Sequence, residues 1–175
     1  PDKKDVVLLG DFNNWTINEN YLMHKDGDYF WITLDNLNNT TEYAYQYYID
    51  YTIKIADPYS EKILDPDNDK YIDPSIYPNL KPYPNDLTTG NVSSFTIQEE
   101  QYNWSTSAFN RPNQDKLVIY EMHIRDFTKK KSYNEALTHL DYLEDLGINA
   151  IELMPVNEFE GNDSWGYNPS FYLAL

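Results

Sequence analysis

No cysteine occurs in the 175 residues, so the fold takes no support from disulfides and no thiolate can act as nucleophile or metal ligand. That absence leaves the compartment open. Only 6 glycines and 3 histidines are present. No phosphate-cradling loop, dinucleotide fingerprint, zinc-ligand spacing or calcium-binding loop can be read from them. No apolar run approaches membrane-spanning length. No signal sequence stands before Pro1, and an upstream leader removed on secretion or export to a periplasm is compatible with a start so close to a strand. Positive charge is also scarce. Lys plus Arg is 13 against 29 for Asp plus Glu, a net charge of -16. Such a chain repels nucleic acid and anionic membranes, so neither is expected as a partner.

What the chain does have is aromatic surface: 17 tyrosines, 4 tryptophans and 7 phenylalanines. Flat amphipathic rings stack on the apolar faces of sugars, and they also populate ordinary β-strands. Outside a motif, the strand reading is preferred for any one tyrosine.

The first hundred residues read as strands and turns. Val6 to Leu9 is an apolar run followed by the turn residues Gly10, Asp11, Asn13 and Asn14. Lys25-Asp26-Gly27-Asp28 is a second turn, leading into Tyr29, Phe30, Trp31, Ile32 and Leu34. Thr41 to Asp50 alternates, with Tyr43, Tyr45, Tyr47 and Ile49 on one face and Glu42, Ala44, Gln46 and Tyr48 on the other. Strands at this spacing predict a small β-sandwich. From Asp57 to Gly90 periodicity is lost among six prolines (Pro58, Pro66, Pro74, Pro78, Pro82 and Pro84), which neither donate to a ladder nor continue a helix. The many tyrosines and isoleucines of this stretch predict that it lies along a surface. Val92 to Ile97 is a further strand candidate, and Gln98 to Gln114 a connector.

The pattern changes at Lys116. Leu117 to Met122 is an apolar-leaning run suited to a strand buried on both faces. Ser132 and Glu135 form a capping box. Tyr133, Ala136, Leu137, Leu140, Leu143 and Leu146 form a helical stripe, and Gly147 sits at a left-handed C-cap. Ala150 to Met154 is the next strand. This βαβ unit predicts a parallel pair with a right-handed crossover. The loop after the second strand carries Glu158, Asp163, Trp165, Tyr167 and Asn168. In a parallel barrel such loops hold the chemistry, although acidic loop residues are more often simply solvated. Glu121 and Glu152, inside the strands, are read as satisfied structural carboxylates. His24 and His139 carry no pattern; His123, closing the first strand, suits a structural or a pocket role equally.

The segments LVIYEMHIRDFT (Leu117 to Thr128), LDYLEDLGINAIELMPV (Leu140 to Val156) and SWGYNPSFY (Ser164 to Tyr172) resemble the first two barrel strands of the α-amylase superfamily of glycoside hydrolases. They are nearest its pullulanase, isoamylase and branching-enzyme side. VLLGDFNNW (Val7 to Trp15), the Tyr45 to Asp50 strand and Asp57-Pro58 resemble the glycogen-binding-like sandwich that precedes the barrel there. The resemblance implies a multidomain chain: an immunoglobulin-like β-sandwich over residues 1–98, a connector over 99–115, and the start of an α/β TIM barrel over 116–175. It implies an α-glucan polysaccharide or oligosaccharide as ligand, with the remainder of the barrel as partner. It also implies a retaining mechanism whose catalytic carboxylates lie on later strands, so that no catalytic residue falls in this segment. By the same resemblance Tyr167 matches the tyrosine that stacks on the sugar under attack, Trp165 and Asn168 flank it at the pocket rim, and Trp15 matches a sugar-stacking tryptophan. Binding is preferred for Tyr167, pinning of the loop to the barrel top for Trp165, and packing against the barrel is the alternative for Trp15. The lysine that accompanies that tryptophan is Gln46 here, and its second tryptophan falls near Ile53 or Lys54. Some relatives bind calcium; no metal ligand set and no cofactor are visible here. A non-catalytic glucan-binding module, or a structural domain docking on a barrel, are the alternative readings.

Overall fold

The computed structural model describes residues 2–99, 101–106 and 108–175. Its first element, β1 (Val6–Gly10), runs into a 3-10 turn at Asp11–Asn13. The turn is locked by its own polar side chains. Asn13 accepts from Gly10 N (3.0 Å) and donates to Leu8 O (2.9 Å). Asn14 and Trp15 then both adopt positive φ, at 51° and 57°, which is uncommon for residues with a Cβ. Asp11 offsets that strain. One carboxylate oxygen accepts from Trp15 Nε1 at 3.0 Å and the other from Ala44 N at 2.9 Å.

Residues 24–31 form a hairpin of β2 (His24–Asp26) and β3 (Tyr29–Trp31) around Gly27, whose φ is 59°. The principal sheet is five-stranded and antiparallel, ordered β1, β4 (Tyr43–Ile49), β7 (Val92–Phe95), β6 (Lys62–Leu64), with β5 (Ile53–Ile55) also paired to β4. Register puts Leu8 opposite Tyr47 and Leu9 opposite Gln46. Val7, Leu9, Ala44, Leu64 and Val92 therefore share one face and, with Trp15, form a buried cluster. Both faces are covered. On the other, the hydroxyls of Tyr45 and Tyr47 donate to the same Asp57 oxygen, at 3.0 and 2.9 Å. Burial, together with that anionic neighbour, pushes both phenols far above the ordinary tyrosine range.

The proline-rich stretch does lie along a surface, and it does more than the pattern predicts. It contains β6, a three-residue strand too short to show alternation. Its later part is laid over the face that carries Trp15. Leu80 and Tyr83 pack on the core cluster, Lys81 Nζ sits 3.0 Å from Asp11 Oδ2, and Gln46 Nε2 donates to Thr89 O and Asn91 O at 3.0 and 2.7 Å. Thr88 hydrogen-bonds Gln46 from above. Gln46 is wholly buried, its amide satisfied by the chain that covers it.

The second region is the expected βαβ unit, but its two strands, expected to be buried, are largely exposed because no neighbouring strand or helix covers them among the described residues. β8 (Ile119–Met122) and β9 (Ala150–Leu153) are parallel, Glu121 opposite Glu152. Asn149 holds the pair together at its entry, accepting from Val118 N and donating to Lys116 O, each at 2.8 Å. A short helix, α1 (Ile124–Phe127), follows β8. The predicted long helix is instead two, α2 (Tyr133–Leu137) and α3 (Leu140–Asp145). Ser132 caps the first, accepting from Glu135 N. The interruption has a local cause: Thr138 N and His139 N bond three residues back rather than four, and Thr138 Oγ1 donates to Glu135 O at 2.7 Å. That hydroxyl competes for the helical carbonyl. At the end of α3, Gly147 N bonds Glu144 O and Ile148 N bonds Leu143 O, the paired bonds of a Schellman cap.

Candidate functional site

The site is built at the carboxyl ends of β8 and β9. After β9 the chain makes a loop through β10 (Glu158–Phe159), which pairs with β11 (Pro169–Phe171). Three groups from the strands fix the loop tip. Arg125, just past β8, donates to Ser164 O at 3.1 Å and Asn162 O at 3.4 Å, and pairs with the exposed Asp163 at 3.6 Å. Gly166, at φ 86°, presses on Pro155; a Cβ there would lie 2.3 Å from Pro155 O, so the tip tolerates no side chain at this position. Tyr167 OH donates to Glu121 Oε1 at 2.7 Å.

This clamp turns two rings outward. Tyr167 is 62% exposed and Trp165 66%. Asn168 is turned inward to its own loop, accepting from the Ser164 hydroxyl, which in turn accepts from Gly166 N at 3.0 Å. Tyr167, Trp165 and Asn168 thus occupy one tip. Trp15 does not join them. Trp15 is 7% exposed, within the buried core cluster on which Leu80 and Tyr83 pack. That burial agrees with a packing role for Trp15 rather than a sugar-stacking one.

Glu158 is also placed elsewhere. It faces Asp65 and Asp69 of the sandwich, in the contact where Ala174 packs on Ala56 and Ile63. Burial, reinforced by those two carboxylates, pushes its carboxyl up to about 7. Burial raises Asp69 as well. Proton linkage gives the sign. A carboxyl whose folded value is raised binds protons more tightly in the native state, so its contribution is complete below about 4.5, its ordinary value, and is lost as pH climbs through about 7. Glu158→Gln should therefore gain stability on the parent by on the order of 1–2 kcal/mol between pH 5 and pH 8, after allowance for solvent screening. Thermal unfolding of both proteins at the two pH values checks this. An equal gap at pH 5 and pH 8 contradicts it.

Glu121 was read from sequence as a structural carboxylate, and the structure places it instead in the open, holding Tyr167. No local signal could reveal that partner, which is 46 residues away. His123 Nδ1 is buried without a hydrogen-bond partner, 3.7 Å from Asp126 Oδ2. Among the described residues, no group of three or more His, Asp or Glu side chains is arranged to hold a metal ion, and no helix is long and apolar enough to cross a membrane.

The chain thus joins an antiparallel β-region to a parallel βαβ unit with exposed aromatic rings at the strand ends. Comparison with known proteins makes this specific. Residues 1–60 match carbohydrate-binding module 48, the isoamylase N-terminal domain. Malto-oligosyltrehalose trehalohydrolase of Saccharolobus solfataricus is 29% identical over 156 residues, covering 89% of this chain and 23% of that protein. The enzyme of the same name from Mycobacterium tuberculosis is 55% identical over 58 residues, 33% of this chain and 10% of the relative. Isoamylase 1 of Arabidopsis thaliana is 40% identical over 79 residues, 41% of this chain and 10% of the relative. A crystal structure assigned as an alpha amylase, from Salmonella typhimurium, superposes with a TM-score of 0.67 at 23% identity, over 98% of this chain and 24% of that one. The chain spans less than a quarter of the length of these curated relatives.

Proposed function

We propose that this chain forms the N-terminal part of an α-glucan-active glycoside hydrolase, with residues 1–98 as the sandwich, 99–115 as the connector and 116–175 as the opening of the catalytic barrel. In this reading the loop after β9 supplies one wall of the sugar-binding cleft, Tyr167 stacking on a glucose ring and Trp165 lining the rim, while Asn168 keeps the tip in shape. The supporting observation is the clamped tip itself. Arg125, Pro155 and Glu121, all on or next to the two strands, hold a pair of exposed aromatic rings at the strand ends. Rigid positioning of a ring is what a sugar-stacking surface requires.

The reaction assigned is retaining hydrolysis or transfer at an α-glucosidic bond. An aspartate nucleophile and a glutamate acid/base on later barrel strands would carry it. Leu117, Val118, Ile119, Ile151 and Leu153 of the strands, and Leu137, Leu140 and Leu146 of the helices, are exposed. Apolar surface of that extent on a parallel pair is stable when further strands and helices cover it. The test is reducing-sugar release from starch, pullulan and maltooligosaccharides. A protein that extends this chain with a complete barrel should hydrolyse at least one of them, and residues 1–175 alone should release none. Turnover by the short chain would sink the assignment of the carboxylates. Starch binding by the short chain with an inactive long one would favour the binding-module reading.

A further inference from the structure

The bond between Tyr167 and Glu121 is unusual for a strand carboxylate. A carboxylate kept for folding is buried and satisfied by several donors. Among the described residues Glu121 holds one side-chain partner, the Tyr167 phenol, 46 residues along the chain. Its position carries a cost. Glu152 lies directly opposite it on β9, and like charges on neighbouring strands repel. Donation by Tyr167 lets one of the pair disperse its charge into a charge-assisted bond. The other constraints on the tip act on backbone: Arg125 on the Ser164 and Asn162 carbonyls, Pro155 against Gly166. They place the Tyr167 Cα. Among the described residues, the bond to Glu121 is the polar contact that sets where the phenol hydroxyl points.

We propose that Glu121 is a positioning residue, whose carboxylate fixes the Tyr167 ring in the attitude needed to stack on a sugar. The assignment rests on the reading of Tyr167 as a stacking residue. It adds that the ring works as a unit with a carboxylate on the preceding barrel strand. The same geometry has a spectroscopic consequence. The hydrogen bond to Glu121, with the charges of Glu121 and Glu152 behind it, holds the phenol above its ordinary ionisation range.

The test is a double-mutant cycle in the longer enzyme, with maltoheptaose as ligand and substrate, reading kcat and KM separately. Tyr167→Phe keeps the ring and loses the bond; Glu121→Ala loses the anchor. Each should lower kcat/KM about tenfold, and the double variant should be no worse than either, because both remove one interaction. Glu121→Gln keeps an acceptor without the charge and should stay within about threefold of the parent. In that variant the Tyr167 ionisation, read as the alkaline ultraviolet difference from its Tyr167→Phe counterpart, should fall back toward ordinary tyrosine. Additive losses from Tyr167→Phe and Glu121→Ala overturn the proposal. If Glu121→Ala does not fold, the kinetics and phenol signal of Glu121→Gln decide in its stead. If Tyr167→Ala leaves kinetics untouched, the stacking reading fails and the positioning role falls with it. If Tyr167→Ala is impaired and Glu121→Ala is not, the positioning role alone is overturned.

Discussion

Trp15→Ala should destabilise the sandwich by about 3–5 kcal/mol, as expected for emptying an indole-sized space in a packed core. The unfolding midpoint should fall by on the order of 10 °C. The indole belongs to the buried cluster of Val7, Leu9, Ala44, Leu64 and Val92, against which Leu80 and Tyr83 pack. Truncation leaves a void that β1 and β4 cannot collapse into, since Asp11 ties them together through Ala44 N. It also removes the donor to Asp11 Oδ1, freeing a carboxylate whose other contacts are Ala44 N and Lys81. Trp15→Phe should recover most of the packing and lose only the indole hydrogen bond. Differential scanning calorimetry orders the three proteins. Insoluble-starch pull-down at low temperature, where Trp15→Ala remains folded, should show no change attributable to the indole. Full stability with lost starch binding would restore Trp15 as a ligand-stacking residue.

The contrast between Trp15 and Tyr167 shows what a sequence of this kind does and does not disclose. The β8–β9 pair was legible because its signals are local: two apolar runs, a Ser132 cap, a Gly147 stop. Each reports on a neighbour within a few residues. β4 was legible through its alternation, and the Gly27-Asp28 turn through its chemistry. The burial of Trp15 was not, because it is decided by residues 80–91, a stretch with no periodicity whose hold on the sheet depends on Lys81, Thr88 and backbone carbonyls. Gln46 is the clearest instance. It was legible as a departure from the lysine of glycogen-binding sandwiches. Its role, to satisfy the carbonyls of Thr89 and Asn91, exists only once that segment has been laid down. β6 was hidden for a related reason, since three residues are too few for a period-two pattern. At the site, the residue types and their loop were visible, but the partner of Tyr167 was not. Glu121 lies 46 residues earlier, and strand carboxylates have no mark that separates an anchor from a structural group.

Tyr167→Ala, in an enzyme extended by its barrel, should lower kcat/KM for maltooligosaccharides about a hundredfold, the scale expected when the support that positions a reacting group is lost. Stability should change by less than about 0.5 kcal/mol, since surface substitutions outside packed features seldom cost more. The ring is 62% exposed and rests on a single hydrogen bond; the loop backbone is held by Arg125 and by Gly166 against Pro155, neither of which the substitution alters. The loss should fall mainly on kcat. A ring beneath the pyranose supports it most as positive charge develops at the anomeric carbon, and an interaction strongest in the transition state appears in turnover. Trp165→Ala should instead raise KM with little change in kcat, because a rim contact binds ground and transition states alike. The two variants, measured on the same substrate, thus separate a ring at the reacting sugar from a ring at the entrance. Unchanged kinetics in Tyr167→Ala would move the site of attack away from this loop and leave the clamp on its tip without a catalytic purpose.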